Sequence, residues 1–228
     1  MKCTWLGQAG LLLEKDGFRI MIDPYLSNSV EKVNPRQRRR VEVQDCFFSI
    51  KPDVLILTHN HLDHYDPETV SRFLTFDTHI TVLSPTSVWQ KVRQIGGVNN
   101  YVSFNRHTEW TQDGLRFTAV RAEHSDPCAI GVLIADLSSG KNYYITGDTL
   151  YNTAIFADLP EKIHAVFLPV NGVGNNMNMI DAARFADRCG AEIVVPLHIG
   201  LFDDLSAEDF PCERKIIPEF YKEIPIGE

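Results

Sequence analysis

Short apolar runs broken by turn residues open this chain, and they predict strands before any helix. Gly7 and Gly10 flank Gln8 and Ala9, Leu11-Leu12-Leu13 leads into Lys15-Asp16-Gly17, and Phe18 to Ile22 follows. An Asp-Gly pair between two apolar runs signals a hairpin, because such a turn needs residues that tolerate positive φ. Asp23-Pro24 then stops the second run. Residues 27 to 45 are polar and irregular and read as one long loop, a length common in lids and binding loops.

From residue 53 the pattern changes. Val54-Leu55-Ile56-Leu57 is wholly apolar, as expected of a strand buried on both faces. Asp66-Pro67-Glu68-Thr69 supplies an N-cap and a proline at the first helical position, predicting a helix through about Leu74. Ile80 to Leu83 reads as strand and Pro85 to Ile95 as helix. Residues 99 to 147 are mostly strand-like, with clear alternation from Gly114 to Val120. Ala129 to Ile134 and Tyr143 to Thr146 are apolar runs separated by the turn-like Ser138-Ser139-Gly140-Lys141. Strand Ala165 to Pro169, helix Ile180 to Arg188, strand Ile193 to Pro196 and a last helix from about Ala207 to Tyr221, capped near Ser206, complete the reading. The expectation is an α/β (α+β) fold, residues 1–228 forming one domain in which two sheets are covered by helices.

Composition changes this picture little. Hydrophobic residues make up 44% and charged residues 23%, ordinary for a globular chain, so nothing suggests disorder. The net charge of -8 leaves little basic excess for a nucleic-acid face, so no nucleic-acid partner is expected. The one basic run, Arg36-Gln37-Arg38-Arg39-Arg40, reads either as a solvated loop or as an anion contact. Five cysteines, widely spaced and without a CxxC pair, argue against a disulfide framework and a thiolate zinc site. The first residues lack the apolar core of a signal peptide, and no apolar run approaches the ~18–20 residues that span a bilayer. The expected compartment is the cytoplasm, with no membrane partner; a homo-oligomer is compatible with the sequence.

Chemistry concentrates in Thr58-His59-Asn60-His61-Leu62-Asp63-His64. Four ligand-type side chains fall within six residues, directly after the apolar run ending at Leu57. In an extended stretch His59 and His61 point to one side and can share one metal. Asp63 and His64 follow as the chain turns toward its helix and can face a second metal. Imidazole with carboxylate suits zinc, and also manganese or iron. Further ligands should come from distant strand ends, and His124, Asp148 and His198 each lie just beyond an apolar run. His79, His107 and His164 read as structural or surface residues.

The order HxHxDH, then His, then Gly-Asp, then a late His after a strand resembles the metallo-β-lactamase superfamily. Trp5-Leu6-Gly7-Gln8-Ala9-Gly10, Ile22-Asp23-Pro24, Thr146-Gly147-Asp148-Thr149 and Val195-Pro196-Leu197-His198 are similar to the L-ascorbate-6-phosphate lactonase group within it. Gln8 stands where many relatives carry histidine, and Ile199 where the lactonase has a second histidine. The resemblance implies a four-layer αβ/βα sandwich with its site at the sheet edges. It assigns one metal to His59, His61 and His124, another to Asp63, His64 and His198, and the bridge to Asp148.

The implied activity is metal-dependent hydrolysis by two divalent ions, zinc or manganese, with iron a further candidate. The ions would lower the pKa of a shared water so that hydroxide is available near neutral pH. Asp63 would orient that nucleophile or pass its proton to the leaving group. The expected substrate is a small lactone or ester, phosphorylated or otherwise anionic substrates included. Candidate substrate contacts are Tyr25, Arg39 and Tyr151, together with Asn175 and Asn176 in the glycine- and asparagine-rich loop from Asn171 to Met177. Three other readings compete: a phosphodiesterase acting on a small or lipid substrate, a redox di-iron protein, and a non-catalytic metal-binding protein on the same fold. The di-iron reading would typically place a carboxylate where His61 stands.

Overall fold

The computed structural model describes residues 1–227. Its first sheet is laid down by β1 (Lys2–Gly7), β2 (Gly10–Lys15), β3 (Phe18–Ile22), β4 (Val54–Ile56), β5 (Thr81–Ser84) and β6 (Asn100–Ser103). The second is built from β7 (Glu109–Gln112), β8 (Leu115–Arg121), β9 (Ile130–Asp136), β10 (Asn142–Ile145), β11 (Ala165–Pro169) and β12 (Ile193–Leu197). The chain then returns to the first sheet as β13 (Glu223–Ile224), beside β1. The strand orders are β13-β1-β2-β3-β4-β5-β6 and β12-β11-β10-β9-β8-β7. The predicted hairpin joins β2 to β3, with Asp16 and Gly17 both at positive φ.

Alternation along the strands creates three apolar layers. Leu11, Leu13, Ile20, Ile22, Val54 and Ile56 meet Phe117, Val132, Ile134, Tyr143, Ile145 and Phe167 between the sheets. The residues between them face outward. Leu12, Met21, Leu55 and Val82 pack beneath α2 (Pro67–Phe73) and α3 (Thr86–Val92), which contribute Val70, Phe73, Val88 and Val92; the short α1 (Ser29–Val33) precedes them in the chain. On the other side Leu133, Tyr144, Val166 and Leu168 lie under α4 (Met179–Cys189), through Phe185 and Ala186. Helix, sheet, sheet, helix is the four-layer order expected. Asp66 caps α2 by accepting from the N–H groups of Glu68 and Thr69. No helix among the described residues is long and apolar enough to cross a membrane.

Two expectations need correction. The polar stretch 27–45 is not wholly loop, because α1 occupies Ser29–Val33. The expected helix from Ala207 to Tyr221 is absent: a 3₁₀ turn over Ala207–Asp209 stops before Pro211. Proline there lacks the N–H a helix would need and crowds the preceding turn. The segment instead runs along β12, with Val194 N–H donating to the Arg214 carbonyl and Ile216 N–H to that of Val194. Phe220 then stacks on Trp5 at 4.2 Å between ring centroids.

Pairing directions put the useful ends together. β3, β4, β5 and β6 run parallel, as do β10, β11 and β12, while β1 and β8 are two antiparallel steps from β3 and β10. All of these strands therefore deliver their C-terminal ends along one edge of their sheet, where α/β folds place their ligands.

A further 3₁₀ turn, Thr153–Asp158, is tied down by Asp158. Its carboxylate accepts from Arg106 Nε and Nη2 at 2.7 Å each and from Arg121 N–H at 2.9 Å. The Arg106 hydrogen bonds lead in holding the carboxyl down from its usual 3.8 to about 2. A depressed carboxylate stabilises the fold above its ordinary pKa and loses that contribution as pH falls through the folded value. Asp158→Asn should therefore lower stability by about 1–2 kcal/mol at neutral pH. In urea denaturation series the gap from the parent should close as pH falls from 3.8 to about 2.

Candidate metal centre

Buried β4 ends at the segment that carries four of the candidate ligands, and the chain there is held on every side. Thr58 N–H donates to Asp23 Oδ1 at 2.8 Å, Asn60 N–H to Asp126 Oδ2 at 3.1 Å, and Tyr65 N–H back to the His61 carbonyl at 2.8 Å. The result is a tight turn between β4 and α2. His59 and His64 are sealed from solvent, while His61 and Asp63 are half-buried.

All seven residues picked out by spacing converge. One ligand atom each from His59, His61 and His124 lies within 4.8 Å of the others, and the same holds for Asp63, His64 and His198. Asp148 joins the second group: its Oδ1 is 3.3 Å from His64 Nε2 and its Oδ2 is 3.2 Å from His198 Nε2. His59 Nε2 and Asp148 Oδ1 are buried without a hydrogen-bond partner. Orphaned lone pairs of this kind need an explanation, and a divalent cation supplies one. The donor set of imidazole nitrogen and carboxylate oxygen fits zinc, manganese or iron.

The outward nitrogens are engaged, which turns the inward ones to the centre. His64 Nδ1 donates to Asp23 Oδ2 at 2.7 Å, and His124 Nδ1 to the Asn175 carbonyl at 3.2 Å. Asn176 Nδ2 donates to Asp148 Oδ2 at 2.9 Å. Such outer contacts fix the orientation and tautomer of a ligand. Gln8, Asp23 and His198 all adopt positive φ, a strained conformation for non-glycine residues that the surrounding bonds must hold. Gly147, also at positive φ, has no room for a side chain: a Cβ would lie 2.7 Å from the Ile130 carbonyl.

The field of the cluster favours a cation. Burial pushes the Asp63 and Asp148 carboxyls up, yet His64 and His198 together hold both below the usual carboxylate range. Burial alone would lower His64 and His198, but Asp148 outweighs it, aided by Asp23 and Asp63 at His64 and by Asp63 at His198, which rises to about 9. His59 falls well below its ordinary value, chiefly through burial and then through neighbouring His64. Protons on two imidazoles thus balance carboxylates that divalent ions would otherwise neutralise.

The five expected substrate contacts separate. Asn176 lines a cleft of about 270 Å³ over His61, Asp63, Asp148 and His198. Asn175 offers its carbonyl to His124. Tyr25 is fully buried, its hydroxyl accepting from Val30 N–H, and Arg39 donates inward to the Tyr25 and Val41 carbonyls and to the Tyr221 hydroxyl. Tyr151 packs edge-on against Phe156 and Phe185. These three side chains lie outside the cleft lining. His79, His107 and His164 also lie apart; His164 bonds Glu192 and the Ile226 carbonyl.

Four contributors escaped the sequence reading as site residues. Gln8 Nε2 donates to Asp63 Oδ2 at 2.9 Å and lies 3.0 Å from His198 Nδ1. Asp23 accepts from Thr58 and His64, Asn171 Nδ2 lies 2.9 Å from His198 Nδ1, and Asp126 binds the His59–His61 loop. The available signal was position, since Gln8, Asp23 and Asn171 each follow a strand end as the ligands do.

Comparison with known proteins agrees with this geometry. A family model described as "Beta-lactamase superfamily domain" matches residues 18–199. The chain is 28% identical over 229 residues to a "UPF0173 metal-dependent hydrolase" of Ligilactobacillus salivarius, covering 99% of this chain and 93% of that one. Among solved structures, the metallo hydrolase Igni18 of Ignicoccus hospitalis superimposes with a TM-score of 0.77 at 21% identity, covering 97% and 96% of the two chains. An isothiocyanate hydrolase from Delia radicum gut bacteria gives 0.74 at 19% identity, with 98% of each chain covered.

Asp23→Asn removes the carboxylate that orients His64 while preserving its shape. Affinity for zinc or manganese should fall about 10–100-fold, measured by competition with a chromophoric chelator.

Proposed function

This chain belongs to the beta-lactamase superfamily, and on that premise we propose that it is a metal-dependent hydrolase of small lactone- or ester-type substrates. Esters and lactones carrying a phosphate away from the reacting bond belong to the same reaction class. The observation that carries the reading is that His59 Nε2 and Asp148 Oδ1 make no hydrogen bond though buried among imidazoles and carboxylates. The printed name of the Ligilactobacillus relative, a metal-dependent hydrolase, supports it as well.

Two ions are assigned, zinc or manganese with iron as a further candidate: His59, His61 and His124 would hold one, Asp63, His64 and His198 the other, and Asp148 would complete the ligand set. They would supply Lewis acidity to lower the pKa of a water and polarise the carbonyl under attack.

The side chains do the rest. Asp63 is more open than Asp148, at 19% against 5% side-chain exposure, so it is the carboxylate that meets substrate in the cleft. Its second role is proton transfer, from the attacking water to the leaving oxygen. Gln8 holds Asp63 Oδ2 for that work through its amide N–H. Asn176 fixes Asp148, and the His64–Asp23 bond keeps the floor of the site rigid.

A panel of lactones, esters, thioesters, phosphodiesters and β-lactams, run on protein reconstituted with zinc or manganese, tests the activity. Lactones and esters should be cleaved fastest. Asp63→Ala, checked for metal content, should reduce kcat about 10²–10⁴-fold; undiminished turnover would remove Asp63 from the mechanism.

A further inference from the structure

We propose that the cleft over the centre selects uncharged substrates, so that the part of the molecule beyond the reacting bond carries neither phosphate nor carboxylate. The inference rests on the hydrolase reading and names the substrate class of that same site.

The wall of the cleft is built from side-chain amides. Beyond the ligand residues, Gln8, Gln37, Asn171 and Asn176 line it, with Val173 and Phe202 as its apolar patches. An amide presents both donor and acceptor without net charge, which suits hydroxyl, amide and ether groups. Asn176 is committed beneath the lining, its Nδ2 donating to Asp148.

No lysine or arginine lines the cleft, and Asp203 adds a carboxylate to its wall. Recognition of a phosphate or carboxylate tail ordinarily calls for arginine or lysine in reach. In the nearby basic run Arg39 and Arg40 are committed elsewhere, and Arg36 and Arg38 are exposed outside the lining. Arg39 spends Nε, Nη1 and Nη2 on Val41, Tyr25 and Tyr221; Arg40 pairs with Asp204; and Arg38 lies 3.8 Å from Glu31. Arg36 is exposed and outside the lining. Across His124, Arg106 and Arg121 are bound by Asp158 and Glu123. Beyond the metal centre, an anionic tail in this cleft would face Asp203 with no lysine or arginine in the lining to offset it, whereas a neutral tail would find amides and the faces of Val173 and Phe202. The volume of about 270 Å³ sits just below the range for drug-sized ligands, so the substrate is small.

Two para-nitrophenyl esters with the same leaving group separate the alternatives: the butyrate, whose acyl tail is uncharged, and the hemiglutarate, whose tail ends in carboxylate. On metal-loaded protein, kcat/KM should favour the butyrate about 10-fold or more, as expected when like charges meet in a confined site. Val173→Arg, which places a cation in the lining, should narrow or invert that ratio. Equal or faster cleavage of the hemiglutarate would overturn the proposal, and loss of such a preference in Arg36→Ala would identify the cation responsible. Binding of pyrrolidinone and of pyroglutamate, a lactam pair differing by one carboxylate, is read in parallel by ligand-observed NMR. Tighter binding of pyrrolidinone supports the proposal, and tighter binding of pyroglutamate overturns it. If neither ester is cleaved, the hydrolase reading falls and the lactam pair alone decides the charge preference.

Discussion

A hydrogen bond sealed from solvent, from His64 Nδ1 to Asp23 Oδ2, underlies the rest of the site. Asp23 follows β3 and His64 follows β4, so the bond ties two neighbouring strand ends. Thr58 donates to the same carboxylate through its N–H and its hydroxyl. A buried carboxylate is tolerated only when its lone pairs are filled, and here all the visible donors come from the ligand segment. The arrangement fixes which nitrogen of His64 faces inward. It also sets the Asp148 carboxylate against His64 and His198, so the electrostatics of the whole centre descend from this floor.

What was legible in the sequence was whatever depends on local pattern. Val54 to Leu57 reads as a buried strand because every residue in it is apolar, and the HxHxDH segment follows at once. His124, Asp148 and His198 were found because a polar residue just beyond an apolar run has no packing reason to be there. The helix expected over Ala207 to Tyr221 fails because Ser206 caps only a single 3₁₀ turn and Pro211 blocks its continuation. The roles of Tyr25 and Arg39 depend on contacts far along the chain: the guanidinium of Arg39 reaches Tyr221, 182 residues away. Its loop position made Arg39 a candidate substrate contact, and tertiary structure absorbs it as a strut. Gln8 and Asp23 carried no ligand signature of their own, and only the folding of β1 and β3 beside β4 reveals what they hold.

The two halves of the fold share the centre unequally. The first sheet supplies the compact turn that carries four proposed ligands within six residues, along with Asp23 and Gln8. The second supplies single residues from three separate loops. The central apolar layer, filled from both sheets, holds these contributions in register, because strand interiors packed at close density do not slide past one another. Positive φ at Gln8, Asp23 and His198 is tolerable in this setting: each is pinned by bonds to another loop.

The loop from Asn171 to Met177 has a consequence for how such a protein changes over generations. It forms much of the cleft wall, yet none of the seven proposed ligands lies on it. Val173 is 65% exposed, so substitutions there cost the scaffold little, whereas Gly174 at positive φ favours glycine. Appetite for one substrate or another can therefore drift through this loop under weak constraint while the centre beneath is inherited unchanged. Divergence among relatives should concentrate at Val173 and spare the neighbouring Asn176, whose amide is committed to Asp148.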